Sequence, residues 1–569
     1  MNKKVFILLI LIIIVASALR LWQLGKVPSS PDWDEVALGY NAYSILQTGK
    51  DEYGKFLPIV LRSFDDYKPA LYSYLTIPSI LIFELNVFAV RLPSAIFGII
   101  SVVATYLLVK ELFSMKSSFE IQSSKEISKE KNDWKLEILA LLSAGLMAIS
   151  PWHIQFSRVA FEANIGVALN VFGILFFLKA FKKPWFLFLS ALMWGLSLYI
   201  YQGEKVFVPF LIAILVVSFR KEFLLIRKKY IYASLTIFAI VCLPLILFTL
   251  TNKDALSRAK TVSIFSNSSI IEANTEKIAR DRANNDILGL VLDNRRVEFA
   301  KYVAGGYLSH LDFNWLFIKG DIARHHVPGM GLMYLIELPF LLVGIYILIF
   351  GNFTKAVKIF TILWFLIVPI PASVTNDVPH AVRAINFLPI LQILTAIGIL
   401  FAMQKILNIP AKGWSASGGK YLIFSMFLLF FIFNFLYYLN QYFVQQNYFH
   451  ARYWQYGYEN IINYVSAVQK NYKKIIVSNT ATMDQSYMFF LFYLKYNPVQ
   501  YLKEGGTASG KFEGKNQFAN FEFRKFDYNQ ENEKSILLIG SSFDFQEEYK
   551  TIHRVNYPDG NLAIKVVER

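Results

Sequence analysis

Three carboxylates fall within four residues at Asp32, Asp34 and Glu35, in the stretch Pro31-Asp32-Trp33-Asp34-Glu35 that follows the first strongly apolar segment. Ionised groups cannot sit cheaply inside a hydrocarbon layer, so a chain that carries them there must present them to water or to a polar site at the membrane edge. Asp34 and Glu35 suit acid–base work, one taking a proton from a hydroxyl while the other binds a cation or orients the first. The same pattern also suits a helix start, because Asp32 or Asp34 would satisfy the free amides ahead of the helix-like run 36–46. Spacing alone leaves both readings open.

Other polar turns repeat the theme. In Ser150-Pro151-Trp152-His153-Ile154-Gln155-Phe156-Ser157-Arg158-Val159-Ala160-Phe161-Glu162, the acid Glu162 stands at the mouth of an apolar run, with Arg158 one helical turn before it and His153 nearby. Glu162 is either a second acidic site group or half of an i,i+4 ion pair that closes a helix end. The turns Tyr199-Ile200-Tyr201-Gln202-Gly203-Glu204-Lys205 and Pro379-His380-Ala381-Val382-Arg383 each set a cation where the phosphate of a membrane-embedded lipid would sit. A phosphate ester needs such cations because its charge rises as it leaves, and Tyr201 is grouped with Lys205 and Arg383 as a phosphate contact. Snorkelling to lipid headgroups explains the two cations equally well.

Within 251–330, Ser257-Arg258 adds a cation, and Gly320-Asp321-Ile322-Ala323-Arg324-His325-His326 is polar. His325 and His326, taken as an adjacent pair without an i,i+4 or carboxylate partner, give only a weak metal signal. Asp321, His325, His326 and His153 stand as metal or acceptor contacts; a divalent cation is compatible with them, but none is clearly encoded.

What positions these groups is a membrane architecture. Of 569 residues, 55% are hydrophobic and only 17% charged, and the mean hydropathy is +0.41. That composition belongs to an integral membrane protein. The formal charge of +16 gathers in short connections between apolar runs, as membrane topology requires, so nucleic-acid binding is disfavoured. The lone cysteine, Cys242, excludes an intramolecular disulfide. Residues 5–19 follow Lys3 and Lys4 without a small-residue cleavage site, so they are expected as a retained first transmembrane helix rather than a cleaved signal.

Eleven runs are long and apolar enough to be expected as spans, near 5–22, 88–109, 136–150, 164–181, 185–201, 206–219, 231–250, 331–350, 357–374, 384–404 and 421–440. With the N-terminus cytoplasmic, the lysine-rich connections fall inside, and the outer turns keep almost single cations, Arg158, Lys205 and Arg383. The outer side then receives 24–87, 251–330 and 441–569. Counting 69–85 as a span would reverse every later connection, so 37–46 and 70–83 are expected as helices lying along the outer surface or dipping into it. Residues 114–133 read as a polar cytoplasmic linker. From 442 onward strand and helix signals alternate: a helix at 460–468, a strand at 474–478, a helix at 486–496, a strand at 536–539 and a hairpin around 557–561. The expected architecture is therefore an α-helical polytopic domain, 1–440, with a small C-terminal extracytoplasmic α/β domain, 441–569.

With these positions assembled, the sequence resembles the GT-C glycosyltransferases. More narrowly it is similar to the family of protein O-mannosyltransferases and aminoarabinose lipid A transferases, in its bacterial form. The resemblance rests on Asp34-Glu35-Val36-Ala37-Leu38-Gly39-Tyr40-Asn41-Ala42, Lys68-Pro69-Ala70-Leu71-Tyr72-Ser73-Tyr74-Leu75 and Val90-Arg91-Leu92-Pro93-Ser94-Ala95-Ile96-Phe97-Gly98, and covers roughly 1–405. It implies transfer of a hexosyl or pentosyl group, with inversion, from a polyprenyl-phosphate donor to a hydroxyl or phosphate of an extracytoplasmic protein, lipid or envelope glycan. It also implies a multi-pass place in the plasma membrane. Asp34 falls at the family's catalytic carboxylate with Glu35 beside it, Glu162 at its second acidic position, and Lys205 and Arg383 at basic positions near the lipid phosphate; Arg258 is a further candidate there. The rival is a transporter or flippase of lipid-linked saccharides. That reading calls for ionisable groups deep in the spans or for internal repeats, whereas the spans are nearly free of charge, Glu337 being the main exception.

Overall fold

The computed structural model describes residues 2–64, 66–114, 129–252, 261–408, 418–511, 514–531, 533–545 and 549–569. Residues 115–128 of the expected linker, and Arg258, lie outside them.

All eleven apolar runs are helical, but they are not equally long. Among the described residues, seven helices have the length and composition to cross a membrane, or eight if the pair Trp134–Ile149 and Pro151–Ser157, bent by 56°, is one span. The remaining three runs form Phe186–Ser197 (12 residues), Glu204–Ser218 (15 residues) and Glu337–Phe350 (14 residues). At a rise of 1.5 Å per residue, about 12 residues cover roughly 18 Å of a hydrocarbon layer about 30 Å thick. The shortening falls where polar or turn-forming residues interrupt the apolar run, as at Tyr199–Gly203.

The chain divides into two compact units. The first comprises Met1–Leu19, Phe97–Ile154 and Ala163–Tyr438 and is built of helices. Glu337–Phe350 and Ile390–Leu407 touch backbone to backbone in it: a Cβ on Gly344 would overlap the Leu394 carbonyl, and one on Gly398 the Phe340 carbonyl. Such small-residue crossings are how helices adhere in lipid, where apolar burial gives no drive.

The second unit comprises Arg20–Ile96, Gln155–Glu162 and Leu439–Arg569, so it takes in the carboxylate-bearing stretch together with the tail. Its sheet has six strands, β3 (Lys474–Val477), β4 (Asn516–Phe518), β5 (Phe521–Phe523), β6 (Ile536–Gly540), β7 (Thr551–Asn556) and β8 (Leu562–Glu568), in the order β4-β5-β3-β6-β8-β7. β3 runs parallel to β5 and β6, and the other pairs are antiparallel. β6 is buried at every position, as the continuous run Ile536-Leu537-Leu538-Ile539 requires of an inner strand. A separate hairpin, β1 (Val60–Ser63) and β2 (Asp66–Pro69), pairs Leu61 with Lys68. The helix Trp33–Thr48 packs against Ser486–Tyr493 at Gly39, where a Cβ would meet Val90 and Phe492 at 2.5 and 2.8 Å.

Glu52 ties this unit together from inside. Fully buried, it accepts hydrogen bonds from Thr507 Oγ1 (2.6 Å), Asn41 Nδ2 (3.1 Å) and the Tyr487 hydroxyl (3.2 Å). Burial pushes its carboxyl up to about 7, Asp51 adds to the rise, and the three donors offset only part of it. The folded value lies above the unfolded one, so the stability it supplies is complete below the unfolded value and is lost as pH rises through about 7. Glu52→Gln is therefore expected to flatten the fall of melting temperature from pH 5 to 8.5, measured on the full chain in detergent; an unchanged slope would clear Glu52.

Candidate functional site

The three carboxylates that opened the sequence have three different environments. Asp32 caps the helix Trp33–Thr48 in a reciprocal box: its Oδ1 accepts from Glu35 N (2.9 Å), and Glu35 Oε2 accepts from Asp32 N (3.2 Å). Glu35 is 1% exposed and is also gripped by Arg91, whose Nε donates to Oε1 (2.8 Å) and Nη2 to Oε2 (3.0 Å), while Ala160 N donates to Oε1 (2.9 Å). Arg91 spends its other donors on the carbonyls of Leu24, Pro28 and Ser30 (3.1, 3.1 and 2.9 Å). The Arg91-Leu92-Pro93-Ser94 motif is thus a buried clamp, and Ser94 Oγ extends it to the Phe156 carbonyl (3.0 Å). Asp34, on the first turn, keeps 35% of its side chain exposed and forms an ion pair with Lys68 on β2.

Glu162 begins the helix Glu162–Ala180, half-buried. Its charge and that of Glu35 both act on Tyr72, whose hydroxyl donates to the Val90 carbonyl (2.9 Å). Arg158 is fully buried: its Nε donates to the Tyr442 hydroxyl (3.2 Å), its Nη2 to the Val27 carbonyl (3.2 Å), and its guanidinium lies over the Tyr442 and Phe443 rings. The second unit thereby gathers Asp34, Glu35 and Glu162 with Lys68, Arg91 and Arg158.

The first unit holds the other candidates. Lys205 follows Gly203 in the turn that opens Glu204–Ser218 and is half-buried, as is Tyr201. Its neighbour Glu204 is fully buried, accepting from Asn170 Nδ2 (2.7 Å) and Asn386 Nδ2 (2.9 Å). Asn386 follows Arg383 by three residues, so Glu204 joins the Lys205 turn to the Arg383 segment. Arg383 Nη1 donates to Thr375 Oγ1 (2.6 Å) and the Asn376 carbonyl (2.5 Å).

Beside Arg383 the structure assembles Asp321, His325 and His380. Contrary to the expectation that the adjacent histidines have no i,i+4 carboxylate partner, Asp321 is one: its Oδ1 accepts from His325 Nδ1 (3.2 Å). Its Oδ2 accepts from Ala381 N (2.6 Å). The His325 and His380 rings lie 4.9 Å apart. Burial works to raise the Asp321 carboxyl, but the imidazole and the amide outweigh it and hold it below the usual carboxylate range. His310 Nδ1 donates to the Gly306 carbonyl (2.7 Å), which leaves Nε2 to accept the His380 amide (3.1 Å). His326 turns its Nδ1 to the Val327 and Met330 carbonyls instead, and its ring lies where a Cβ on Gly320 would be, a position with φ +67°. His153 is buried with Nδ1 3.4 Å from the Met147 carbonyl. Among the described residues, neither joins the Asp321–His325–His380 group.

Lys68, Arg91, Glu204 and His380 were given no site role from spacing, although Lys68 and Arg91 stand in the motifs that carried the resemblance. The spacing of Asp321 and His325 is a local signal; Asp34 lies 34 residues from Lys68, Glu35 lies 56 from Arg91, and Asn170 lies 34 from Glu204.

No protein-family model matches the chain, and no characterised protein matches it by sequence. Solved structures do. ArnT from Cupriavidus metallidurans bound to undecaprenyl phosphate superposes with a TM-score of 0.54 at 10% identity, over 100% of this chain and 98% of that one. Its apo form gives 0.51 at 10% identity, over 99% and 97%. The archaeal oligosaccharyltransferase AglB from Archaeoglobus fulgidus, in complex with an inhibitory peptide and a dolichol-phosphate, gives 0.49 at 14% identity over 86% of this chain. The chain spans 63% of that protein's length. The chain therefore shares the fold of ArnT over its whole length, tail included.

Proposed function

We propose that the chain is a membrane glycosyltransferase that moves a sugar, with inversion, from a polyprenyl-phosphate donor to a hydroxyl of an acceptor on the outer side of the membrane. The observation that carries this reading is the division of labour at residues 32–35: Asp32 and Glu35 are buried and hold the helix start, whereas Asp34 keeps 35% of its side chain exposed and is paired with Lys68. The shared fold with ArnT supports it. Asp34 takes the proton as the acceptor oxygen bonds to the anomeric carbon. The bond from that carbon to the phosphate oxygen breaks on the opposite face, and the prenyl phosphate leaves with the electron pair. Lys205 and Arg383 meet the charge that develops on it, with Tyr201 as a further phosphate contact and Glu162 as the second acid. Glu35 positions Asp34 through the helix.

Purified full-length protein in nanodiscs, given a panel of radiolabelled polyprenyl-phosphate sugars, should transfer or hydrolyse at least one of them. Inertness toward every donor would sink the proposal. It would favour the transporter reading, which draws on the buried Glu204 and Glu337 of the helical unit; that reading requires intact donor to cross liposomes. For the phosphate contacts, Lys205→Gln and Arg383→Gln are each expected to weaken donor binding about 10-fold or more, since a hydrogen bond to a charged group contributes roughly 1.5–3 kcal/mol. Unchanged half-saturation in both variants would remove the two cations from the donor site.

A further inference from the structure

We propose that Asp321, His325 and His380 form a binding site for a transition-metal dication of the Zn²⁺ type, which fastens the 320–326 turn to the segment that carries Arg383. One donor atom from each of the three residues lies within 4.8 Å of the others. In a tetrahedral site with bonds of about 2.0–2.1 Å the ligand atoms stand roughly 3.4 Å apart, so closure needs only about 1 Å of side-chain rotation. Two imidazoles and one carboxylate select zinc-like metals over calcium or magnesium, which take oxygen-only shells. Three protein ligands also leave a fourth position for water or a substrate oxygen.

The surroundings are built as an outer shell would be. Ala381 N fixes Asp321 Oδ2, and His310 Nε2 holds the His380 amide while His310 itself is tied to Gly306. Groups that orient ligands in this way are a regular part of metal centres. The side chains of Asp321 and His325 are each only 5% exposed. The alternative is a plain Asp–His hydrogen bond with a second imidazole beside it, and the two make different predictions. The inference stands apart from sugar transfer, because metal binding is read without any donor.

The test uses full-length protein in detergent, stripped with chelator, dialysed and titrated with Zn²⁺ alone. The expected result is one tightly held ion per chain by elemental analysis, a rise in melting temperature on adding Zn²⁺, and visible d–d absorption when Co²⁺ replaces it. His325→Ala and His380→Ala should each lose the ion, and His326→Ala should keep it. Should the alanine variants fail to fold, the Co²⁺ spectrum of the wild-type chain decides. Stripped wild-type protein that binds no Zn²⁺, shows no Co²⁺ absorption, or binds the metal as well without His325 and His380 overturns the proposal.

Discussion

Asp34→Asn is expected to leave the chain folded and membrane-inserted while lowering sugar transfer by about 10²- to 10⁴-fold, the usual worth of a positioned general base. The amide keeps the shape of the side chain but cannot take a proton. The structural cost is small because Asp34 is partly exposed and the amide oxygen still accepts from Lys68 Nζ, so the melting temperature should barely move. Initial rates and thermal unfolding on the same preparation separate the two effects. Transfer at the wild-type rate would remove Asp34 from the chemistry, and a collapse of the melting temperature would place its role in the fold instead.

The neighbouring carboxylate should behave in the opposite way. Arg91→Ala leaves Glu35 buried with its charge partner gone, a loss of about 3–5 kcal/mol for a pair out of contact with water. It also strands the carbonyls of Leu24, Pro28 and Ser30 that Arg91 now satisfies. Arg91→Lys does not repair this, because an ammonium has three donors against the five of a guanidinium and cannot reproduce the fork. The expected readout is a large drop in melting temperature and in yield of folded protein, with Glu35→Gln in the Arg91→Ala background recovering part of it. A melting temperature equal to the wild type in Arg91→Ala would show that the clamp contributes nothing. Read side by side, Asp34→Asn and Arg91→Ala test whether two adjacent residues divide chemistry from structure.

That division could not be read from the sequence. Asp32-Trp33-Asp34-Glu35 offers carboxylates of nearly identical chemistry, and both the cap and the base readings fitted the spacing. The cap belongs to Asp32, with Glu35 returning its side chain to the Asp32 amide. Glu35 became a buried partner only because the chain brings Arg91 back from 56 residues away. For Asp321 and His325 the spacing was visible, but the third member, His380, comes from a separate segment.

What the sequence determined by itself was the set of properties that local patterns carry. Apolar run length marked the runs that form helices, of which seven, or eight with the bent pair, are long and apolar enough to span among the described residues, and local pattern marked β3, β6, the β7–β8 turn and two helices of the tail but neither β4 nor β5, because such signals depend on periods of a few residues. The helices expected within 24–87 form as Trp33–Thr48 and Leu71–Phe83. Tertiary structure decided how far each helix extends, that the tail shares a compact unit with residues 20–96, and which ionisable groups are buried against partners and which are partly exposed. The physical reason is that the state of a charge is set by burial and by partners, and both are supplied by residues distant in sequence.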